Sequence, residues 1–366
     1  MFSRTDRSIL GDWWWTVDRT MLTGLGMLAV LGVIIVFAAS PPVAATLGLD
    51  GSFFITKHVI FLLPAAALMF GASVLAPRGV LRLGLLMMAL FGFMLVLAPF
   101  FGAEIKGARR WISVAGTPLQ PSEFVKPALA VVTAWLLSRR QGLWGMPESL
   151  IVAGAVIGLL LMQPDLGMVA IVGLVYMIQL FVAGLPWIVV VVAAVLAAGG
   201  AFLAYEAFPH VQSRVDMFLD PETVGYQVEK ALRAVASGGL FGRGPGEGVE
   251  KFLLPDAHTD FVFAAAAEEF GIFFCLIIVA LFLSLLLRGI WRVHEAGDRF
   301  VQLAATGLVC QFGLQALINM AVNLNLMPTK GMTLPFISYG GSSMLALALG
   351  MGMLLALTRR NARLES

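Results

Sequence analysis

Residues 253–271 read LLPDAHTDFVFAAAAEEFG. A Pro-Asp-Ala-His-Thr-Asp cluster, Pro255 to Asp260, runs straight into a greasy segment, and Glu268 and Glu269 sit inside that segment. The rest of the chain avoids charge: 59% of its 366 residues are hydrophobic and 13% charged, with a mean hydropathy of +0.91. A soluble domain carries roughly 25% charged residues. Apolar runs of about 20 residues, enough to cross a hydrocarbon core of about 30 Å, recur along the whole length. The chain reads as a polytopic membrane protein. In lipid the backbone must satisfy its own hydrogen bonds, so these runs are helices.

Ten runs read as spans, at 21–40, 59–77, 83–102, 122–138, 149–164, 167–184, 187–206, 262–286, 300–319 and 343–358. Short arginine-bearing segments orient them. Arg4, Arg7 and Arg19 precede the first span; Arg78 and Arg82 follow the second; Arg139 and Arg140 follow the fourth. Arg288, Arg292 and Arg299 lie between the eighth and ninth, and Arg359, Arg360 and Arg363 follow the tenth. All fall on one side of an even-numbered bundle. The expected fold is therefore an all-α polytopic membrane protein of ten transmembrane helices, one domain over 1–366, with both termini cytoplasmic. Tails at 1–20 and 359–366 flank it, and a large extracytoplasmic loop occupies 207–261. Trp13, Trp14 and Trp15 suit an aromatic anchor at the inner interface. The AAS-PPVAA sequence at 38–45 resembles a signal-peptide cleavage site, but the long polar leader and the later spans favour a retained first helix.

Several function classes drop out. A net charge of +2 and the lack of a long basic run argue against nucleic acid. Cys275 and Cys310 both lie in apolar runs, which suits neither a structural disulfide nor a thiolate metal site. His58, His210, His258 and His294 are scattered without metal-ligand spacing.

The polar residues that remain gather on the outer side. KGARRWISVAGTPLQPSEFVKP, residues 106–127, places Lys106, Arg109, Arg110 and Lys126 at the outer mouth of the fourth helix. Ser122 is the expected N-cap, with Glu123 and Lys126 three residues apart on one face and Pro127 loosening the first turns. Such a helix start favours an anion. Two readings stand for Glu123 and Lys126: a local ion pair at a helix end, or a functional site. NLNLMPTKGMTLPFISYGGSS, residues 323–343, excludes a continuous helix and aims Lys330 either into a wet cavity or into bulk water. Gln163, Pro164 and Asp165 read as a short turn. In the 207–261 loop, Val224, Val228, Ala231, Leu232 and Val235 recur at helical spacing, and SGGLFGRGPGEG after them reads as a flexible connector. Asp260 then stands where that loop meets the eighth helix. The layout predicts an outward-facing cavity for an anionic, membrane-embedded ligand, with Glu268 and Glu269 facing the bundle interior.

QPSEFVK (120–126), QPD (163–165), YQ followed by SGGLFGRG, LLPDAHTDFVFAAAAEEFG and PTKGMTLPFISYGGSS together resemble the SEDS (shape, elongation, division and sporulation) family of bacterial peptidoglycan glycosyltransferases, in order and over nearly the whole chain. GARRW, LLPDAHTDF and PTKGMTLPFISYGGSS look like the cell-division (FtsW-type) branch, with the elongation (RodA-type) branch as the alternative. The resemblance implies a ten-helix bundle that polymerises lipid II, a disaccharide-pentapeptide on undecaprenyl pyrophosphate. It also implies Asp260 as the catalytic carboxylate and a class B penicillin-binding protein (FtsI-like) as partner, alongside FtsQ, FtsL and FtsB. Localisation at the septum in the cytoplasmic (inner) membrane, with the site facing the periplasm, follows from the same likeness.

Glycosyl transfer from a pyrophosphate needs a base for the attacking hydroxyl and positive charge for the leaving group. Asp260 fits the first task. Arg109, Glu123, Lys126 and Lys330 are the candidates for binding substrate, with Gln120, Ser122, Thr259 and Ser338 as supporting polar groups. A divalent cation (Mg or Mn) is a candidate cofactor, with no metal ligand assigned and no organic cofactor expected. The rival readings are a lipid II flippase and a non-catalytic scaffold.

Overall fold

A computed structural model of the chain describes residues 8–105, 108–114, 116–139, 146–207, 212, 215–216 and 225–359. Arg4, Arg7, Lys106, Arg140, His210, Arg214, Val224, Arg360 and Arg363 lie outside the described residues. Each apolar run forms a helix. In chain order these are α1 (Ile9–Thr16), α2 (Arg19–Thr46), α3 (Phe53–Ser73), α4 (Pro77–Phe101), α5 (Pro121–Ser138), α6 (Met146–Met162), α7 (Leu166–Val182) and α8 (Trp187–Ala207). They continue with α9 (Tyr226–Gly238), α10 (Val262–His294), α11 (Arg299–Asn323) and α12 (Gly341–Leu357). The second run ends earlier than expected because Pro77, a residue suited to the first helical position, opens α4.

Helices α2, α3, α4, α10 and α11 are long and apolar enough to cross a membrane. Helices α6, α7, α12 and the Trp187–Gly200 part of α8 are apolar but shorter. The chain is a membrane protein. Helix α5 belongs to neither group. It is the central strut, packed on α4, α6, α7, α11 and α12 and buried along its length except at Trp135 and the C-terminal Ser138. A helix walled in by protein tolerates the charged pair Glu123–Lys126, which lipid would not.

The all-α expectation needs one correction. Residues 103–119 form a three-stranded antiparallel meander: β1 (Ala103–Ile105), β2 (Ala108–Val114) and β3 (Thr117–Leu119), with Ala103 opposite Trp111 and Ile112 opposite Leu119. The aromatic and β-branched residues Trp111, Ile112 and Val114 suit a strand, and helix is not required of a segment outside the apolar runs.

A second correction concerns the glycine-rich segment. It is not a loose connector but fills a break in α10. At Gly271 the backbone takes φ +82°, a conformation that disfavours any side chain. The amides of Arg243 and Gly244 donate to the carbonyls of Glu268 and Glu269 at 2.9 and 3.0 Å, and those of Ile272 and Phe273 donate to Gly239 and Leu240 at 3.0 and 3.3 Å. The segment thus supplies the hydrogen bonds that the kinked helix lacks. A Cβ at Gly242 would lie 2.2 Å from the Glu269 carbonyl oxygen, so close approach requires glycine there.

Glu268 and Glu269 lock this arrangement. Both are buried, at 0% and 1% exposure. Glu268 accepts from the amides of Val249 and Glu250 at 2.7 Å each and Lys251 at 2.8 Å. Glu269 accepts from the amides of Gly246 and Gly248 and from the ammonium of Lys251. Lys251, itself 2% exposed, also donates to the Ala38 carbonyl of α2 at 3.0 Å. The two acids in the apolar run are therefore anchors for the loop that leads to Asp260.

At the opposite end of the bundle Asp18 accepts from Arg288 at 2.9 Å and Arg292 at 2.6 Å, and Trp13 donates to Ser73 at 2.9 Å. Arg19 lies 4.8 Å from the rings of both Trp14 and Trp15.

Candidate active site

Five connections meet at the end of the bundle that carries Asp260: 47–52 with the start of α3, the β meander, the 163–165 turn, the 239–261 segment and 324–340. Each touches another through a side chain or a shared hydrogen bond. Phe54 packs 4.1 Å from His258, and the His258 carbonyl accepts from the Tyr339 amide at 2.9 Å. Ser342 accepts from the Gln120 amide at 3.2 Å and donates to the Pro118 carbonyl at 3.3 Å.

Asp260 is half-buried, at the last turn before α10. Its amide donates to the Asp256 carbonyl at 3.1 Å, and its own carbonyl accepts from both Asn319 and Asn323 at 2.9 Å. A Cβ placed on Gly331 would lie 3.1 Å from Asp260 Oδ2, so the carboxylate faces the bare backbone beside Lys330. Next to it, Thr259 gives its carbonyl to the Ser338 hydroxyl at 2.6 Å, and Ser338 accepts from the Leu334 amide at 2.8 Å. Thr259 and Ser338 are thus brought together as supports of the Asp260 turn. Burial pushes the His258 imidazole down to about 4, so it stays neutral between Phe54 and Tyr339 and shapes the loop.

Glu123 and Lys126 form a buried ion pair at 2.8 Å on α5, and Lys126 also donates to Gln315 at 2.9 Å. Gln315 in turn donates to the Thr333 carbonyl at 3.1 Å. The pair is therefore tied into the 330s segment and does more than finish a helix end. Ser122 does not cap α5. The N-cap is Gln120 and Pro121 occupies the first position, which leaves Ser122 buried inside the first turn.

Lys330 runs beside α7: its Cδ, the Met332 methyl and Asp165 Oδ1 all lie within 4 Å of the point where a Gly167 Cβ would stand. Asp165 caps α7 through the Met168 amide at 3.4 Å and faces Arg110 at 3.7 Å. Burial raises the Asp165 carboxyl above its ordinary value, against the pull of Arg110 and of the Met168 amide. Arg110 also donates to the carbonyls of Gln163 and Pro164 at 2.9 and 2.6 Å.

The expectation for Arg109 is corrected here. Successive residues on a strand face opposite ways, and on β2 it is Arg110 that turns to the site. Arg109 is exposed and pairs with Glu104 at 3.5 Å. Sequence reasoning also underrated Asp165 and passed over Gln315, Asn319 and Asn323. The signal for the last three was available: amides four residues apart in an apolar helix share a face.

Among the described residues no three of His, Cys, Asp and Glu converge as metal ligands.

The FtsW/RodA/SpoVE "cell cycle protein" family model matches residues 19–363. The chain belongs to this family. A "probable peptidoglycan glycosyltransferase FtsW" of Caulobacter vibrioides is 43% identical, over 98% of this chain and 93% of that one. The protein of the same name from Trichlorobacter lovleyi is 36% identical, over 92% of each chain. Among solved structures of the family, a chain described under "structural coordination of polymerization and crosslinking by a peptidoglycan synthase complex" superposes with a TM-score of 0.80. It is 27% identical, over 94% of this chain and 98% of that one. The rod shape determining protein RodA of Thermus thermophilus gives 0.69 at 27% identity, over 94% of this chain and 97% of that one. The family likeness spans the loop end and the helices alike.

Proposed function

We propose that the chain is an FtsW-type peptidoglycan glycosyltransferase that polymerises lipid II into β-1,4-linked glycan during septal wall synthesis. The observation that carries the reading is Asp260: a half-exposed carboxylate held by its backbone carbonyl, facing Gly331, at the junction of five connections. Family membership and relatives named as glycosyltransferases support it. On this reading α5 and the nine apolar helices around it cross the cytoplasmic membrane, both termini are cytoplasmic and the Asp260 end faces the periplasm.

In the reaction, Asp260 takes the proton of the acceptor GlcNAc 4-hydroxyl as its oxygen attacks the donor MurNAc anomeric carbon. The bond from that carbon to the pyrophosphate breaks, and its electron pair leaves with undecaprenyl pyrophosphate. One inversion turns an α-linked donor into a β product, and a pyrophosphate departs without a general acid. Lys330 and Arg110 are the cations we assign to the leaving group. Glu123 and Lys126, buried against each other and tied to the 330s segment through Gln315, are assigned a supporting role beneath these groups. A magnesium or manganese ion would enter with the donor's pyrophosphate, using one or two carboxylates of this chain at most; no step above depends on it.

The complex described for the structural relative suggests a partner that crosslinks. We assign that role to a class B penicillin-binding protein of FtsI type, with FtsQ, FtsL and FtsB completing the assembly. The deciding experiment is glycan polymerisation from lipid II by the purified chain with its transpeptidase. Asp260→Asn should abolish product, since an amide cannot accept the proton. A lipid II flippase would tolerate the change, because translocation needs no base at that atom.

A further inference from the structure

We infer that the buried amides of α11, Gln315, Asn319 and Asn323, are positioning residues that fix Asp260 relative to Lys126 and to the segment bearing Lys330. The inference rests on the glycosyltransferase reading and deepens it. The three residues stand four apart on one helix, a rise of about 6 Å per step. All are buried, at 1%, 1% and 0% exposure.

Their donors go to the site. Asn319 Nδ2 donates to two carbonyls from distant parts of the chain, Asp260 at 2.9 Å and Met332 at 2.6 Å. Asn323 Nδ2 donates to the same Asp260 carbonyl at 2.9 Å, so both lone pairs of that oxygen are engaged. Asn323 Oδ1 accepts from the Ala264 amide at 2.9 Å, on the far side of the Asp260 turn. One step deeper, Gln315 accepts from Lys126 and donates to the Thr333 carbonyl and hydroxyl at 3.1 and 3.2 Å. Consecutive rungs of one rigid helix thus grip consecutive residues, Met332 and Thr333. The upper rung also holds the proposed base, and the lower holds the lysine of the buried pair.

This pattern differs from a polar core that merely satisfies itself. A Gln or Asn in a helix bundle needs any convenient carbonyl, and Gln179 shows that behaviour by bonding to Ala130 and Leu303 in neighbouring helices. The α11 amides also make such bonds, Asn323 donating to the Asn319 carbonyl of its own helix and accepting from the Ala264 amide. Each of the three in addition donates to non-helical backbone at Asp260, Met332 or Thr333, beside the proposed base and Lys330. They set the separation between the proton acceptor and the leaving-group end of the site, a distance on which rate depends steeply.

The test is steady-state elongation of lipid II by the full chain in complex with its transpeptidase. Asn319→Ala and Asn323→Ala are each expected to lower kcat about tenfold to a hundredfold while KM for lipid II stays within about threefold. If one variant fails to fold, the other carries the test. Asn319→Gln, which keeps the amide but moves it outward by about one bond length of 1.5 Å, covers the loss of both and is expected to lower kcat in the same way. Wild-type kcat in the folded variants, or a loss confined to KM, overturns the inference. Asp260→Asn run alongside separates the two levels. If it is inactive while the asparagine variants turn over normally, the positioning role alone falls. If it is active, the base falls, and the positioning role with it.

Discussion

Replacing Glu268 by Gln preserves shape and removes one charge from the anchor of the Asp260 loop. In the native chain Oε1 accepts two amides, from Val249 and Glu250, and Oε2 accepts a third, from Lys251. With glutamine, the amide oxygen keeps the first two bonds but loses their ionic character, which roughly halves each, about 1 kcal/mol apiece. The NH2 group then points at the Lys251 amide, donor against donor. Leaving that buried N–H unmet costs about 1–3 kcal/mol. The total is on the order of 3 kcal/mol, or about a hundredfold in the equilibrium for local opening. Hydrogen exchange of the purified chain in lipid nanodiscs reads this directly. Amides 249–251 should exchange about a hundredfold faster, while α11 and α12 keep their protection. Unchanged protection at 249–251 would refute the anchor, and so would acceleration spread evenly over the bundle.

Further outcomes follow from the same structure. Arg110→Ala should lower thermal stability by about 2 kcal/mol and impair lipid II use, whereas Arg109→Ala should be near neutral, since an exposed pair contributes about 0–1 kcal/mol; melting in detergent and turnover check both. His258 has its folded pKa depressed by burial to about 4 from 6.5, so the stability it contributes is present above 6.5 and lost as pH falls toward 4. That loss is on the order of 3 kcal/mol, and His258→Gln should flatten the melting-versus-pH curve in this window. Gly271→Ala should destabilise by roughly 3 kcal/mol or more, through its left-handed backbone and a Cβ clash with the 240–242 segment, and thermal unfolding would show it.

The helices were legible because lipid allows one backbone solution for a long apolar run, and the runs from 21–40 to 343–358 each became one. Their ends were less legible: Pro77 moved a boundary by starting a helix inside what reads as one hydrophobic stretch. Asp260 and the Glu123–Lys126 pair stood out as charges where charge is costly. The strand of residues 108–114 did not, since it is short and mixed in polarity. Nor did composition show which neighbour of an Arg-Arg pair faces inward; only the register of β2 decides that. Glycine density at 238–248 suggested looseness, because a sequence cannot reveal that a helix 30 residues later is broken and needs small residues to mend it. The α11 amides were missed for a different reason: uncharged side chains do not disturb a hydropathy profile, although their spacing of four was in plain view.

The two sets of contacts around the 252–261 turn differ in the order in which a ribosome supplies them. Every partner of the Glu268 and Glu269 carboxylates described above comes from earlier in the chain, from residues 246–251, and the second contact of Lys251 is Ala38. When the glutamates emerge, everything needed to receive them has already been made. Beyond the bond of its amide to Asp256, the contacts described for Asp260 come afterwards, from Asn319, Asn323, Gly331 and, through Thr259, Ser338. A nascent chain released after α10 would therefore close the base of the loop and yet lack a formed carboxylate site. Translation through the last two helices sets the reactive group, so an incomplete product in the membrane would be folded at its loop and chemically silent.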